Sequence, residues 1–109
     1  MSKFMILYRS SVSAREQLEN ATPEQQQAGM EAWRVWAEKV GYAIGDLGAP
    51  LAHTTHVGPG SAATDEVTGY SILNAGSADE VETLLVGHPH LMMPGASIEV
   101  LELIPIGDM

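Results

Sequence analysis

The sequence lacks cysteine and is poor in basic residues. None of its 109 residues is Cys, which excludes disulfide bonds, thiolate catalysis and cysteine-ligated zinc or iron–sulfur sites. Five Lys and Arg stand against 14 Asp and Glu, all five lie at or before Lys39, and the net charge is −9. Because nucleic-acid grooves and phosphate clamps require fixed cations, the sequence predicts no nucleic-acid partner.

Long apolar runs and nucleotide-binding loops are also missing. The first apolar run, Phe4–Tyr8, is far shorter than the ~20 residues of a membrane span or the ~7–15 residues of a signal-peptide core. Gly58–Gly60 is not a phosphate loop, because neither a Lys nor a predicted helix follows it. We therefore expect a cytoplasmic protein with no membrane partner, no metal and no cofactor. The length fits one domain, 1–109.

Four apolar runs have the composition of β-strands. They are Lys3–Arg9, Ala49–Gly58, Val67–Ala75 and Ala96–Ile104. Segment 59–66 is rich in small residues and is expected to connect the second and third strands as a hairpin loop. Segment 10–21 is polar, and we expect it to be irregular.

Two helices are predicted between the strands. Thr22–Gln25 reads as a capping box with Pro at the first helical position, and an apolar stripe with helical spacing follows it. This helix is expected to be kinked or broken near Gly41 and to end by Gly48. Ser77–Glu80 is a second capping box, and its helix is expected to end at Gly87.

The order βαββαβ predicts a ferredoxin-like α+β fold, in which a four-stranded antiparallel sheet carries both helices on one face. The first strand has Phe4, Ile6 and Tyr8 on one side, yet Met5 and Leu7 on the other are apolar too. A water-exposed face of an antiparallel sheet normally carries polar residues at alternate positions. The second face therefore needs cover, and we predict a homodimer that packs sheet against sheet.

Several segments together resemble those of YCII-related proteins. They are KFMILYRS, TPEQ, MEAWRVWAEKVG, DLGAPL, GYSIL and GHPHLMMPGASIEVLELIPI. The resemblance covers nearly the whole chain and implies a dimeric α+β barrel, in which two ferredoxin-like sheets enclose a cavity. Many relatives carry Asp-Gly-Pro-Phe after the second strand, where this chain has segment 59–66 instead.

The resemblance also implies part of a site. In some relatives a His–Asp pair is suggested as the active site, with the His in the first helix, where this chain has Met30–Trp36 and no His. Only the aspartate, Asp46 in DLGAPL, carries over. Asp46 is expected in the last turn of the first helix, where a carboxylate faces the negative end of the helix dipole at a cost of about 0.3–1 kcal/mol. Such a position points to function; the alternative is a solvated residue that caps the next loop.

His88 and His90 flank Pro89. Proline favours an extended backbone at His88, and alternate residues of an extended chain share a face. Two such imidazoles can pass a proton or bind a metal, but no third ligand stands at a useful spacing. His90 is therefore the candidate general acid or base. His88 either contacts the substrate or packs on the apolar face of the second helix.

Tyr8, Arg9 and Tyr70 are the remaining candidates for substrate binding. Tyr70 would supply an orienting hydroxyl inside an apolar pocket, and Tyr8 would line the same cavity with its apolar neighbours in the first strand. Arg9 ends the first strand, and its guanidinium could meet a substrate carboxylate.

Four further residues are expected to be structural. Trp33 and Trp36 lie on the apolar stripe of the first helix, which explains them as core residues. His53 and His56 are three residues apart, so a strand would place them on opposite faces, where they cannot share a metal.

Two functions fit these residues. One is a small-molecule enzyme with a pocket in each protomer of the barrel, where His90 and Asp46 exchange protons in an isomerase, lyase or cofactor-independent oxygenase reaction. The other is a module of the same fold that binds a small apolar ligand or another protein without catalysis. The sequence leaves the substrate and the reaction open.

Overall fold

The computed structural model describes residues 1–52, 54–60 and 66–106. Its strands are β1 (Ser2–Ser10), β2 (Ile44–Pro50), β3 (Glu66–Ala75) and β4 (Ser97–Glu102). Its α-helices are α1 (Ala14–Asn20), α2 (Pro23–Val40) and α3 (Ala78–Leu84). Two 3₁₀ turns lie at Gly41–Ala43 and Pro89–Met92.

The strands form one sheet in the order β2-β3-β1-β4. β1 pairs antiparallel with both β3 and β4, and β2 pairs antiparallel with β3. With α2 and α3 as the connections between the outer and inner strands, this is the ferredoxin-like topology. The predicted α+β fold class is confirmed.

Helices α2 and α3 cover one face of the sheet. Phe4, Ile6 and Leu73 are at most 1% exposed and pack in one core with Val40 of α2 and Val81 of α3. Each such burial stabilises the fold by about 1.5–3 kcal/mol. The alternate residues of β1 and β3 are mostly half-buried and point to the other side, which we call the open face.

Helix α2 begins where the sequence predicts it and ends at Val40, where a kink or a break was predicted, so the structure has the break. Thr22 Oγ1 accepts the Gln25 N–H at 3.1 Å, and Gln25 Oε1 accepts the Thr22 N–H at 2.9 Å, so the capping box is confirmed. The helix does not reach Gly48. Gly41 adopts a φ of 56° with a ψ of −124°, a conformation that favours glycine and cannot continue an α-helix.

The second strand lies earlier in the sequence than predicted. β2 spans Ile44–Pro50, whereas the apolar composition predicted Ala49–Gly58. One further backbone hydrogen bond joins the chain after β2 to β3: the Leu51 N–H donates to the Thr68 carbonyl at 3.0 Å. Asp46 therefore lies in a strand and not in a helical turn, so the argument from the helix dipole does not apply to it.

The polar segment predicted to be irregular contains α1. Ser13 Oγ accepts the Glu16 N–H at 3.1 Å and caps this seven-residue helix. Its sequence, AREQLEN, has no apolar stripe by which it could be recognised. The other elements lie within one or two residues of their predicted bounds, except α3, which ends at Leu84. None of the described helices is both long and apolar enough to cross a membrane.

Candidate functional site

The open face combines an apolar centre with polar side chains around it. Leu7 lies at the centre, directly opposite Tyr70 of β3 on one side and Glu99 of β4 on the other. In the next row Met5 lies opposite Ile72 and Leu101. Because paired residues of neighbouring strands point to the same face, these side chains form one continuous surface.

Asp46 is held at the β2 edge of the open face by an irregular strand. The pairing of β2 with β3 shifts register on both sides of Asp46, which lies opposite Ile72. Asp46 Oδ1 accepts the N–H of Gly48 at 2.9 Å. Bulged edge strands commonly re-aim a side chain near active sites, and here a local hydrogen bond fixes the result.

Gly48 makes this geometry possible. Its φ is 84°, and a Cβ atom at this position would lie 1.6 Å from the carbonyl oxygen of Tyr70. No side chain can be accommodated at that distance. The close approach of the two backbones brings the Asp46 carboxylate next to the Tyr70 ring.

The hydroxyl of Tyr70 donates to Asp46 Oδ2 at 3.4 Å. This separation is longer than the ~2.5–2.7 Å of a strong hydrogen bond from a hydroxyl to a carboxylate. Asp46 is exposed and Tyr70 is half-buried. The pair therefore presents an acceptor and a donor side by side, and both are accessible from the open face.

Arg9 and Glu99 form a second polar pair on the same face. Arg9 Nε donates to Glu99 Oε1 at 3.3 Å, and the two side chains are 22% and 45% exposed. Leu7 lies between Glu99 and Tyr70 in one row across the sheet, so it separates the Arg9–Glu99 pair from Tyr70. The expected place of Arg9, at the end of the first strand, is confirmed.

Tyr8 points away from the open face, into the core under the helices. The prediction that Tyr8 lines the same cavity as Tyr70 is therefore wrong, because the two residues alternate in register and face opposite sides. The Tyr8 hydroxyl lies 2.8 Å from Ser71 Oγ, which donates to the Leu47 carbonyl at 2.6 Å. Burial raises the pKa of Tyr8 to about 12, against a smaller lowering by the Ser71 hydrogen bond.

His88 is fully buried among aromatic rings. It stacks on Tyr8 at 4.9 Å between ring centroids and meets Trp33 and Trp36 edge-on at 4.5 and 4.4 Å. Its Nδ1 accepts the backbone N–H of His90 at 3.0 Å. Burial, together with the charge of His90, lowers the pKa of His88 to about 4, so the ring is neutral at pH 7. Of the two roles left open by the sequence, the geometry supports packing.

His90 ties the 3₁₀ turn Pro89–Met92 to two strands. Its Nε2 lies 2.9 Å from the Arg9 carbonyl and 3.1 Å from the Ser97 carbonyl. Carbonyl oxygens only accept hydrogen bonds, so Nε2 carries the hydrogen. The ring lies 5.3 Å from that of Tyr8, on the helix side of the sheet, and is 8% exposed.

The structure does not bring Asp46 and His90 together. Asp46 lies on β2 at one edge of the sheet, whereas His90 contacts β1 and β4 at the other edge. Two strand spacings alone separate them by about 10 Å. Asp46 is on the open face and His90 on the helix side. The side chain that hydrogen-bonds to Asp46 is Tyr70 and not the predicted His90.

The remaining histidines add no ligand set. His56 is exposed, and His53 lies outside the described residues. Among residues 1–52, 54–60 and 66–106, no group of three or more His, Asp and Glu side chains could hold a metal ion.

Two features of the site escaped the sequence analysis. Glu99 was not singled out, although its place two residues before Leu101 in the last strand put it on the less apolar side. For Gly48 the sequence predicts the end of a helix. Their roles depend on which residues face each other across strands, and the strand register fixes that.

A comparison with solved structures finds similarity to a dehydrochlorinase. No protein-family model and no curated protein matches the chain, so the resemblance to YCII-related proteins depends on the sequence segments given above. The chain is similar to the 5-chloro-2-hydroxyhydroquinone dehydrochlorinase TftG from Burkholderia phenoliruptrix AC1100, solved in complex with 2,5-dihydroxybenzoquinone. The identity is 22% over 89% of this chain and 90% of that one, with a TM-score of 0.44. That identity is too low to transfer an activity.

Proposed function

We propose that this protein is a cytoplasmic, YCII-related homodimer, in which two open faces enclose a chamber, and that it is a small-molecule enzyme for proton transfer. Asp46 is its acid–base group and Tyr70 its hydrogen-bond donor. One observation carries the proposal: a bulged edge strand holds the Asp46 carboxylate beside the Tyr70 hydroxyl, at the border of an apolar face.

The apolar centre supports a second copy as the cover of the open face. Met5, Leu7 and Ile72 are only half-buried in one protomer, and Leu101 is 43% exposed. Contiguous exposed apolar surface of this kind marks an interface or a ligand site. Two such faces packed together bury both sets of side chains and leave a space between the sheets for a ligand.

The distribution of charge supports the same pairing. The described residues of the open face include two cations, Lys3 and Arg9, and two anions, Asp46 and Glu99. In contrast, the three helices carry three basic and eight acidic residues. Two copies that meet through their helices would repel each other, whereas the open faces are balanced.

Asp46 fits the role of a proton acceptor in such a chamber. A second sheet would exclude bulk water, and electrostatic interactions strengthen when water is excluded. A substrate whose acidic hydrogen lies within about 2.6–3.2 Å of the carboxylate could transfer it to Asp46. The Tyr70 hydroxyl would then donate to the anion that forms. On the helix side of the sheet, His90 positions β1 and β4 through its contacts with the Arg9 and Ser97 carbonyls. His88 and Tyr8 pack beside it and support the same arrangement.

Exchange of carbon-bound hydrogen with solvent deuterium tests this chemistry before the substrate is known. A panel of small enolisable ketones and lactones is incubated in D₂O and followed by NMR. The wild type is expected to accelerate exchange in at least one compound, and Asp46→Asn to lower that rate about 100-fold or more. Tyr70→Phe should lower it by a smaller factor.

Asp79→Asn is the matched control, since it makes the same change at an exposed residue in the first turn of α3. It should retain the wild-type rate. Binding of panel compounds without exchange, equal in the wild type and Asp46→Asn, would contradict the enzyme proposal and favour a binding module of the same fold.

A further inference from the structure

We propose that the chamber takes a small carboxylate with a compact apolar body and an acidic hydroxyl at its other end. The hydroxyl lies between Asp46 and Tyr70, and the carboxylate lies at Arg9. This inference rests on the proposed function, because it takes the open face as the ligand site.

The hydroxyl end follows from the Asp46–Tyr70 pair. A hydroxyl group donates one hydrogen bond and accepts others, so it matches a carboxylate and a phenol placed side by side. The two protein oxygens are 3.4 Å apart, so their own hydrogen bond is weak. A ligand hydroxyl can therefore enter between them and form two shorter bonds in exchange for one long one.

The carboxylate end follows from Arg9. Its guanidinium presents five N–H donors in a planar fork that matches a carboxylate. Glu99 accepts from Nε and holds the group on the open face. Glu99 is 45% exposed, so it also competes with an anionic ligand for the same guanidinium. The other cation of this face, Lys3, lies at the opposite end of β1.

The separation of the two ends sets the size of the ligand. Tyr70 lies opposite Leu7, and Arg9 is two residues further along β1. One strand spacing and one two-residue step place the Cα atoms of Tyr70 and Arg9 roughly 8 Å apart. Leu7 lies between them and supplies an apolar surface. A single ring with its two polar groups on opposite sides spans such a distance.

Other ligand classes fit less well. A wholly apolar ligand would remove water from Asp46 without giving it a partner, which costs free energy. A polyanion would be repelled by Asp46 and Glu99. A cation would meet Arg9 without benefit. The arrangement of acceptor, donor and guanidinium around an apolar centre is specific for a molecule with one acidic hydroxyl and one carboxylate.

Binding of four related probes tests the inference, with dissociation constants measured by NMR titration at pH 7. The probes are 4-hydroxyphenylacetate with both groups, phenylacetate with the carboxylate, 4-methylphenol with the hydroxyl, and toluene with neither. The first is expected to bind at least tenfold more tightly than each of the others. Equal affinities for all four would overturn the inference.

Three variants assign the two ends. Asp46→Asn should weaken 4-hydroxyphenylacetate and 4-methylphenol about tenfold and leave phenylacetate within twofold. Arg9→Gln should do the reverse, weakening the two carboxylates and sparing 4-methylphenol. Glu99→Gln removes one anion that competes for Arg9 and should tighten the binding of both carboxylates. Losses that do not follow the probe groups would contradict the assignment.

The results separate the inference from the proposal beneath it. If toluene and 4-methylphenol bind as well as the two acids, the chamber exists and only the ligand class is wrong. If no probe binds and light scattering gives a monomer, the chamber itself is absent and both proposals fail.

Discussion

The backbone N–H of His90 donates a hydrogen bond to Nδ1 of His88 at 3.0 Å. Because Nδ1 accepts, the hydrogen of the neutral His88 ring lies on Nε2. Among the described residues, Nε2 is buried with no hydrogen-bond partner and lies in a cluster with the Trp33 and Trp36 rings. Protonation of His88 would turn Nδ1 from a hydrogen-bond acceptor into a donor, so that it could no longer accept the His90 N–H. It would also place a positive charge beside the Trp33 and Trp36 rings.

Stability is therefore expected to fall between pH 6.5 and pH 4. Burial lowers the pKa of His88 to about 4, so in this window the unfolded chain binds a proton at His88 that the folded chain does not. The free energy of unfolding then decreases as the pH falls, by about 3 kcal/mol from this residue. Urea unfolding at a series of pH values measures it.

His88→Phe is the matched variant, since it keeps an aromatic ring in the cluster and does not titrate. Its overall stability should be lower because the His90 N–H loses its acceptor, but its pH dependence over this window should be flatter. An NMR titration of the wild-type His88 ring should give a midpoint near 4. Equal pH slopes for both proteins would contradict the prediction.

Gly48→Ala is expected to destabilise the protein more than Gly95→Ala does. Both glycines have similar positive φ, 84° and 77°, so the backbone strain of an alanine is similar. Only at Gly48 would the new Cβ meet another atom, the Tyr70 carbonyl oxygen at 1.6 Å. We expect an additional loss of about 1–3 kcal/mol at Gly48, measured by urea unfolding. Equal losses would mean that the β2–β3 approach is not required.

Leu7→Glu is expected to convert the proposed dimer into a folded monomer. Leu7 is half-buried at the centre of the open face and lies opposite Glu99, so a second carboxylate there adds like-charge repulsion and removes apolar contact. Leu18→Glu is the control, because Leu18 is 54% exposed on α1 and lies outside the paired strands that form the open face. Light scattering should give a dimer for the wild type and Leu18→Glu. A monomeric wild type would contradict the proposed assembly.

Much of the fold could be predicted from local signals. Thr22 and Gln25 mark the start of α2, and apolar runs mark β1, β3 and β4. The structure of the segment after Gly41 was not predictable in this way, because the apolar spacing that continues to Leu47 suits a helix as well as a strand. Pairing with β3 decided between them, and that contact lies outside any local window.

The candidate site was predicted only in part. The resemblance and an expected helix-end position pointed to Asp46, and the phenol hydroxyl pointed to Tyr70; the structure places the two in contact. His90 was selected as the partner of Asp46, yet the backbone carbonyls of Arg9 and Ser97 hold its ring on the other side of the sheet. A polar residue in a turn carries no sequence signal for the layer into which its side chain points.

By itself, the sequence determined the order of the four strands and of helices α2 and α3, the absence of thiol chemistry and the presence of two apolar faces on one sheet. These properties follow from composition and from periodicity along a single segment. The tertiary structure decided that Tyr8 faces the helices, that Asp46 lies on a bulged strand, and that Tyr70 is its partner. Each of these depends on strand register, and a shift of one residue moves a side chain to the opposite face of the sheet.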